Sequence, residues 1–281
     1  MITFSRVKQH KMTYKDYIIG TDRTELHRLG LQHQVWESEA RMAWTLADFG
    51  AGQTILDLGS GPGFCTRDLG YIVGESGKVI AVDKSKLYID FLEAINEIHQ
   101  LKLDIRYSDF DSLDLSQDQL DGVFIRWALA WASNPFEILE KIEEAMLPGA
   151  VIVAQEYFDW TTFQVEPKLA ALQTGIDAIY DTYKNKQEGD IDIGRKLTGY
   201  FYDLGLEVIS TRPLSKLVTP EQFAWQWPKS FLEIFLPKMV GLGYLTQKQV
   251  EYALDELYQL EELDGAAILC PHMIEVIAIK P

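Results

Sequence analysis

Residues 55–63 read Ile-Leu-Asp-Leu-Gly-Ser-Gly-Pro-Gly, and this run restricts the fold more than any other stretch. Its apolar first half, ending in the acid Asp57, predicts a buried strand over 53–58. Three glycines follow at alternate positions, Gly59, Gly61 and Gly63, and a helix is predicted from Phe64 to about residue 73. Glycines there let the backbone turn sharply and let a ligand come close to the main chain. A strand, a tight glycine turn and a helix in that order make one unit of a parallel sheet. The spacing is G-x-G-x-G, one residue short of the G-x-G-x-x-G pattern of dinucleotide sites. The Asp57 carboxylate would repel a phosphate, and Pro62 removes an N–H that a phosphate would use. The turn therefore suits a ligand with a ribose and a cationic amino group but no phosphate.

Two further acids stand where such a ligand needs them. Lys78–Asp83 is an apolar run ending in Asp83, placed to accept from ribose hydroxyls at the tip of a second strand. Asp104–Phe110 brings Asp109 to the next strand end, where a carboxylate can accept from an adenine amino group and Phe110 can pack on the ring. Ser60 within the turn and Lys84 after Asp83 complete the set. S-adenosylmethionine (SAM) is a ligand of this description. With LDLGSGPG (56–63), VIAVD (79–83), SDF (108–110), LDGVFIRWALAWASNP (120–135) and LPGAVIVAQE (147–156), the chain resembles the class I SAM-dependent methyltransferases, well over roughly residues 30–160 and loosely elsewhere. The resemblance implies SAM as cofactor and S-adenosylhomocysteine (SAH) as product. It also implies an α/β, doubly wound, mostly parallel seven-stranded sheet whose last strand is antiparallel. The 120–135 stretch looks most like the small-molecule members. An Asn/Asp-Pro-Pro-Tyr motif is absent, which argues against methylation of adenine N6 or of glutamine.

The rest of the chain extends this pattern. Strand and helix signals alternate over 53–58, 64–73, 78–82, 85–99, 103–107, 120–126, 135–146 and 150–156, with Leu147-Pro148-Gly149 as a sharp break. Residues 1–29 read as an N-terminal arm or lid carrying Tyr14, Tyr17, Ile18 and Ile19, and 30–48 as a helix entering the SAM-binding domain of residues 30–281. Helices are expected at 167–187 and 192–204, and strands at 206–211 and 272–279 become the sixth and seventh of the sheet. Helical insertions at about 161–190 and 217–265, the second rich in Phe223, Trp225, Trp227, Phe231 and Phe235, are expected to cap the strand ends over a small, largely apolar molecule.

Composition bounds the partners. The 281 residues carry a net charge of −16, and the basic residues are dispersed. A nucleic-acid enzyme would show a basic stripe, so no nucleic-acid partner is expected. No apolar run approaches the ~20 residues of a membrane span, so no membrane partner is expected. Two cysteines, Cys65 and Cys270, are too few for a disulfide framework. A cytoplasmic protein is expected, and a homodimer is left open. No His/Cys/Asp cluster has the spacing of a metal site, and Asp111, Asp114 and Asp118 read as a solvated acidic loop.

Several side chains admit two roles. Asp83 can cap a helix as well as bind ribose, and Asp109 can be a surface turn residue. Arg126 and Trp127, at a strand tip, form either a cofactor or acceptor wall or a packing pair. Gln32, His33 and Trp36 lie on the entering helix, which the resemblance carries over the methionine end of SAM. Gln32 is a candidate ligand of that end. His33 is the candidate general base, with an ordinary surface histidine as the alternative. The expected function is methyl transfer from SAM to a small-molecule acceptor, its atom (O, N or C) unresolved. A non-catalytic SAM-binding sensor or partner subunit is the alternative. An NAD dehydrogenase is disfavoured by the glycine spacing and by Asp57.

Overall fold

A computed structural model describes residues 23–186 and 188–281. The arm residues Tyr14, Tyr17, Ile18 and Ile19 lie outside the described residues. The chain enters as α1 (Arg23–Leu46), then alternates β1 (Thr54–Leu58), α2 (Phe64–Val73), β2 (Lys78–Asp83), α3 (Lys86–His99), β3 (Leu103–Tyr107), β4 (Leu120–Arg126), α4 (Pro135–Ala145) and β5 (Met146–Asp159). A short strand β6 (Gln164–Glu166) precedes α5 (Ala170–Lys186), α6 (Leu197–Asp203) and β7 (Glu207–Leu214). Then come β8 (Leu217–Val218), α7 (Gln226–Phe235), α8 (Lys238–Gly241), α9 (Gln247–Glu261), β9 (Ala267–Leu269) and β10 (His272–Ile279).

Seven strands form one sheet in the order β3-β2-β1-β4-β5-β10-β7. The neighbours from β3 to β5 are parallel, and β10 runs antiparallel to both β5 and β7. This is the doubly wound fold the sequence pattern implies. Alternate residues of each strand enter opposite layers, as the pleat requires. Ile55 and Val79 join Trp44, Leu69 and Val73 of α1 and α2 on one face. Leu56 and Ile80 join Ile138 and Ile142 of α4 on the other, in a core continuous with the cap. Strand order reverses between β1 and β4, so the tips of β1, β2 and β4 open onto a crevice.

Three features depart from the sequence reading. Helix α1 begins at Arg23, so residues 23–29 are helical rather than part of an arm. The polar residues Glu25 and Arg28 are buried there, and an apolar periodicity cannot register a helix that turns charges inward. Leu147-Pro148-Gly149 does not break the chain before β5. The strand runs through it, with Gly149 at φ 85° and a register shift against β4 between Leu120 and Gly122. The cap is also not purely helical: β6, β9 and β8 form a three-stranded antiparallel sheet. Among the described residues no helix is long and apolar enough to cross a membrane.

Candidate functional site

The glycine turn sits at the tip of β1. Its three glycines take φ of 70°, 54° and 83°, in the left-handed region that favours glycine. A Cβ on Gly59 would stand 2.5 Å from the Ala128 Cβ, so the turn is packed there. At Gly61 no described heavy atom comes within 4 Å of that position, and the backbone faces open space. The turn is pinned to β2: the N–H groups of Gly59 and Ser60 donate to the Val82 carbonyl, and Gly61 N–H donates to Asp83 Oδ2 at 2.9 Å. Asp83 Oδ1 accepts the Ser85 N–H at 2.7 Å. The cap of α3 is Ser85, whose hydroxyl accepts from Tyr88 N–H. Burial raises the Asp83 pKa against these hydrogen bonds. Asp57, 3% exposed, accepts the Thr66 hydroxyl at 2.6 Å. Burial pushes its carboxyl up to about 6, the Thr66 bond and the Arg126 charge opposing the rise.

Helix α1 forms the second wall. Arg28 commits all three guanidinium nitrogens: Nε and Nη2 donate to the Glu25 carboxylate at 2.8 and 2.6 Å, and Nη1 donates to Gln32 Oε1 at 2.8 Å. Gln32 Oε1 also accepts the Trp227 indole N–H of α7 at 3.0 Å, so its amide N–H₂ is what Gln32 offers the cavity. His33 is buried, not on the surface. Its Nε2 lies 3.2 Å from Asp68 Oδ2, its Nδ1 3.6 Å from Cys65 Sγ, and its ring stacks on Phe64. Arg126 Nη2 donates to the same sulfur at 2.9 Å. Burial pushes the Cys65 thiol up to about 12, so it is neutral.

These walls enclose one opening of about 950 Å³, part of it open to solvent. Gln32, His33, Asp57, Gly59, Ser60, Gly61, Asp83, Arg126 and Trp127 all line it. Gly63, Lys84, Asp109 and Phe110 do not stand in that wall. Gly63 packs against Leu92, and Phe110 is buried behind Gly59. Asp109 is exposed at the start of the turn Phe110–Ser112. In the acidic loop Asp118 is paired with Arg106 at 2.7 Å, and among the described residues no three His, Cys, Asp or Glu side chains form a metal cluster.

The far half of the opening is aromatic. Trp127 has φ 53°, which a bulky residue adopts only when its surroundings force it. Its N–H donates to the Gln155 carbonyl at 3.1 Å, and its indole lies nearly parallel to Tyr157 and Trp227. Trp160, Tyr183 and Phe231 continue the wall. Beneath it Glu156 Oε1 accepts the N–H groups of Ala128 and Leu129 at 2.8 and 2.9 Å, and burial pushes its carboxyl up to about 8. Sequence reasoning missed Glu25, Arg28, Tyr157, Trp160 and Tyr183. The rule that found Arg126 and Trp127 at the tip of β4 would have found Tyr157 near the tip of β5.

Residues 50–201 match the family described as a methyltransferase domain. The chain belongs to this family. Among curated proteins, the methyltransferase-domain chain is 25% identical over 161 residues to the ubiquinone/menaquinone biosynthesis C-methyltransferase UbiE of Hydrogenovibrio crunogenus, covering 53% of this chain and 62% of that protein. It is 26% identical over 208 residues to an uncharacterised 37.1 kDa transposon protein of Streptomyces fradiae, covering 73% of this chain and 58% of that one. The chain thus spans about three fifths of the length of these relatives. Among solved structures, a methyltransferase-like protein of Bacillus halodurans superposes with a TM-score of 0.60 at 15% identity, over 87% of this chain and 99% of the other. Coclaurine N-methyltransferase, bound to N-methylheliamine and SAH, superposes at 0.55 and 14% identity over 86% and 72%. These last two likenesses concern the fold.

Proposed function

We propose that the protein binds SAM in the half of the cavity lined by Asp57, Gly61 and Asp83, and transfers its methyl group to a small-molecule acceptor, leaving SAH. The observation that carries the reading is Gly61. Its main chain is bare to the cavity at φ 54°, while its N–H is held by the half-buried Asp83 carboxylate. A pyrophosphate would meet two carboxylates there. A ribose and an ammonium bring the donors those carboxylates accept, so the residues present fit SAM. The family membership and the C-methyltransferase relatives support the same reading.

When bound, SAM supplies a methyl group on a positively charged sulfur with a neutral thioether as leaving group. The chain supplies position and dryness. Asp83 accepts from the ribose hydroxyls while keeping the turn closed. Asp57 would hold the ammonium, and the Gln32 amide N–H₂ would donate to the carboxylate. Trp127 and Tyr157 exclude water from the junction of the two halves. Proximity and desolvation then carry most of the rate. His33 holds α1 against α2 through Asp68, and in this reading it serves as a positioning residue.

Calorimetric titration with SAM, SAH and NAD tests the cofactor. Binding of the first two and not the third is expected. Asp83→Ala should weaken SAM by about ten- to a hundredfold, the worth of a charge-assisted hydrogen-bond pair. Gly61→Val should abolish binding. Unchanged affinity in both variants would overturn the assignment. A screen for labelled methyl transfer over hydroxyl, amine, carboxyl and ring-carbon acceptors tests the chemistry. SAM binding with no transfer to any class would favour a non-catalytic SAM-binding role.

A further inference from the structure

The aromatic half of the cavity resembles a box for a cation, since ring faces attract ammonium and guanidinium groups. Its faces are already used. The Arg126 guanidinium carbon lies 5.1 Å from the centre of the Trp127 ring, and that of Arg28 lies 5.9 Å from the centre of Phe231. Trp127 is further flanked, nearly parallel, by Tyr157 at 5.9 Å and Trp227 at 6.0 Å. Phe231 stacks on Phe235 at 4.3 Å. The faces of Trp127 and Phe231 are thus turned to other rings and to the chain's own cations.

Charge in the same half is closed as well. The carboxylate that lines this half of the opening, Glu25, is 1% exposed and accepts two bonds from Arg28. With its third donor group on Gln32, Arg28 is committed at every nitrogen. An ammonium entering here would find the Glu25 carboxylate paired, and a carboxylate would find Arg28 paired and Arg126 turned to Cys65 Sγ and the Trp36 carbonyl. Either would give up its hydration shell for groups that are already engaged, which disfavours its entry. A neutral flat ring meets no such cost and gains dispersion and edge-to-face contacts with the walls.

We infer that the acceptor is an uncharged molecule carrying a flat aromatic ring, admitted to the slot walled on one side by Trp127, Tyr157, Trp160 and Phe231 because Arg28 and Arg126 already fill the places a cation would take. The inference rests on the reading of the other half of the cavity as the cofactor site, and it names the substrate class of that same site.

Three naphthalene probes of one size and different charge test it: 1-naphthol, 1-naphthoate and trimethyl(1-naphthylmethyl)ammonium. Each is titrated calorimetrically into the full chain saturated with SAH, and again without SAH. Naphthol should bind at least about tenfold more tightly than either ion. Phe231→Trp, which fills the slot, and Phe231→Leu, which removes the ring with little change in bulk, should each weaken naphthol about tenfold while leaving SAH affinity within about threefold. Phe231 is only half-buried, and circular dichroism confirms that each variant is folded. An ion that binds as tightly as naphthol overturns the inference. So does naphthol binding that neither variant changes, or no naphthol binding at all. If SAH fails to bind while naphthol still binds in the stated order, the cofactor reading falls and the neutral aromatic slot stands.

Discussion

Asp57 and Asp83 share one cavity but stand in different states. Asp83 spends both oxygens on backbone N–H groups of the turn and the next helix. Asp57 has the Thr66 hydroxyl and little else, and burial lifts its pKa to about 6. An ammonium beside it favours the ionised form, so ligand binding lowers that pKa. Below about pH 6 the carboxyl must first lose its proton, and SAM affinity should fall by up to about tenfold per pH unit. Calorimetry in buffers of different ionisation enthalpy should show proton release near pH 5–6. Asp57→Asn should weaken binding at pH 8 and remove that release. His33 carries the opposite kind of expectation. With Nε2 on Asp68 and Nδ1 toward Cys65, its loss should cost about 1–3 kcal/mol of stability, read by denaturant melts. Turnover per folded molecule should change by less than about threefold, whereas removal of a general base would cost about 10²–10⁴. That these two acids line the cavity was legible because each ends an apolar run at a strand tip. The engagement of His33 was not, because Asp68 lies thirty-five positions away and shows no local pattern.

Among the elements, the tips of β4 and β5 are tied by one carboxyl. Glu156, three residues before the end of β5, receives the N–H groups of Ala128 and Leu129, just after β4, and its other oxygen has no partner among the described residues. Its pKa is about 8 in the fold, against an ordinary value near 4.5. The folded form therefore holds its proton more tightly than the unfolded form. This contribution to stability is complete below about pH 4.5 and is lost as pH rises through about 8. Glu156→Gln keeps the acceptor oxygen and cannot ionise. It should be more stable than the parent by about 2–4 kcal/mol at pH 9 and nearly equal to it at pH 4.5, in denaturant melts at both values. The sequence made β5 visible through its apolar run, but nothing in the run says that its terminal acid stays protonated. Helix α1 teaches the same lesson. Its apolar half was read at 30–48, and its first turns were not, because Glu25 and Arg28 are buried there, with Arg28 over the Phe231 ring of α7.

At the scale of the whole molecule, the parallel part of the sheet follows from the alternation of strands and helices, and every strand of the large sheet lies within a few residues of its expected place. The cap does not follow in the same way. Its helices were visible as aromatic, periodic stretches, but its small sheet joins three segments of two or three residues each, too short for a pattern. That sheet has a consequence for the time course of folding. Val165 meets Ile268, which also meets Val218, so the strands find one another only after long stretches of intervening chain have been placed. Closing such distant contacts is slow until the central strands supply a scaffold. Pulse-labelled hydrogen exchange during refolding should therefore protect the amides of β1, β4 and β5 first and those of β6, β8 and β9 last. Simultaneous protection would show that the cap assembles independently of the sheet. If the lag is found, a newly made chain passes through a stage that has its glycine turn but lacks the cap above it, and the cap's aromatic residues are then open to self-association.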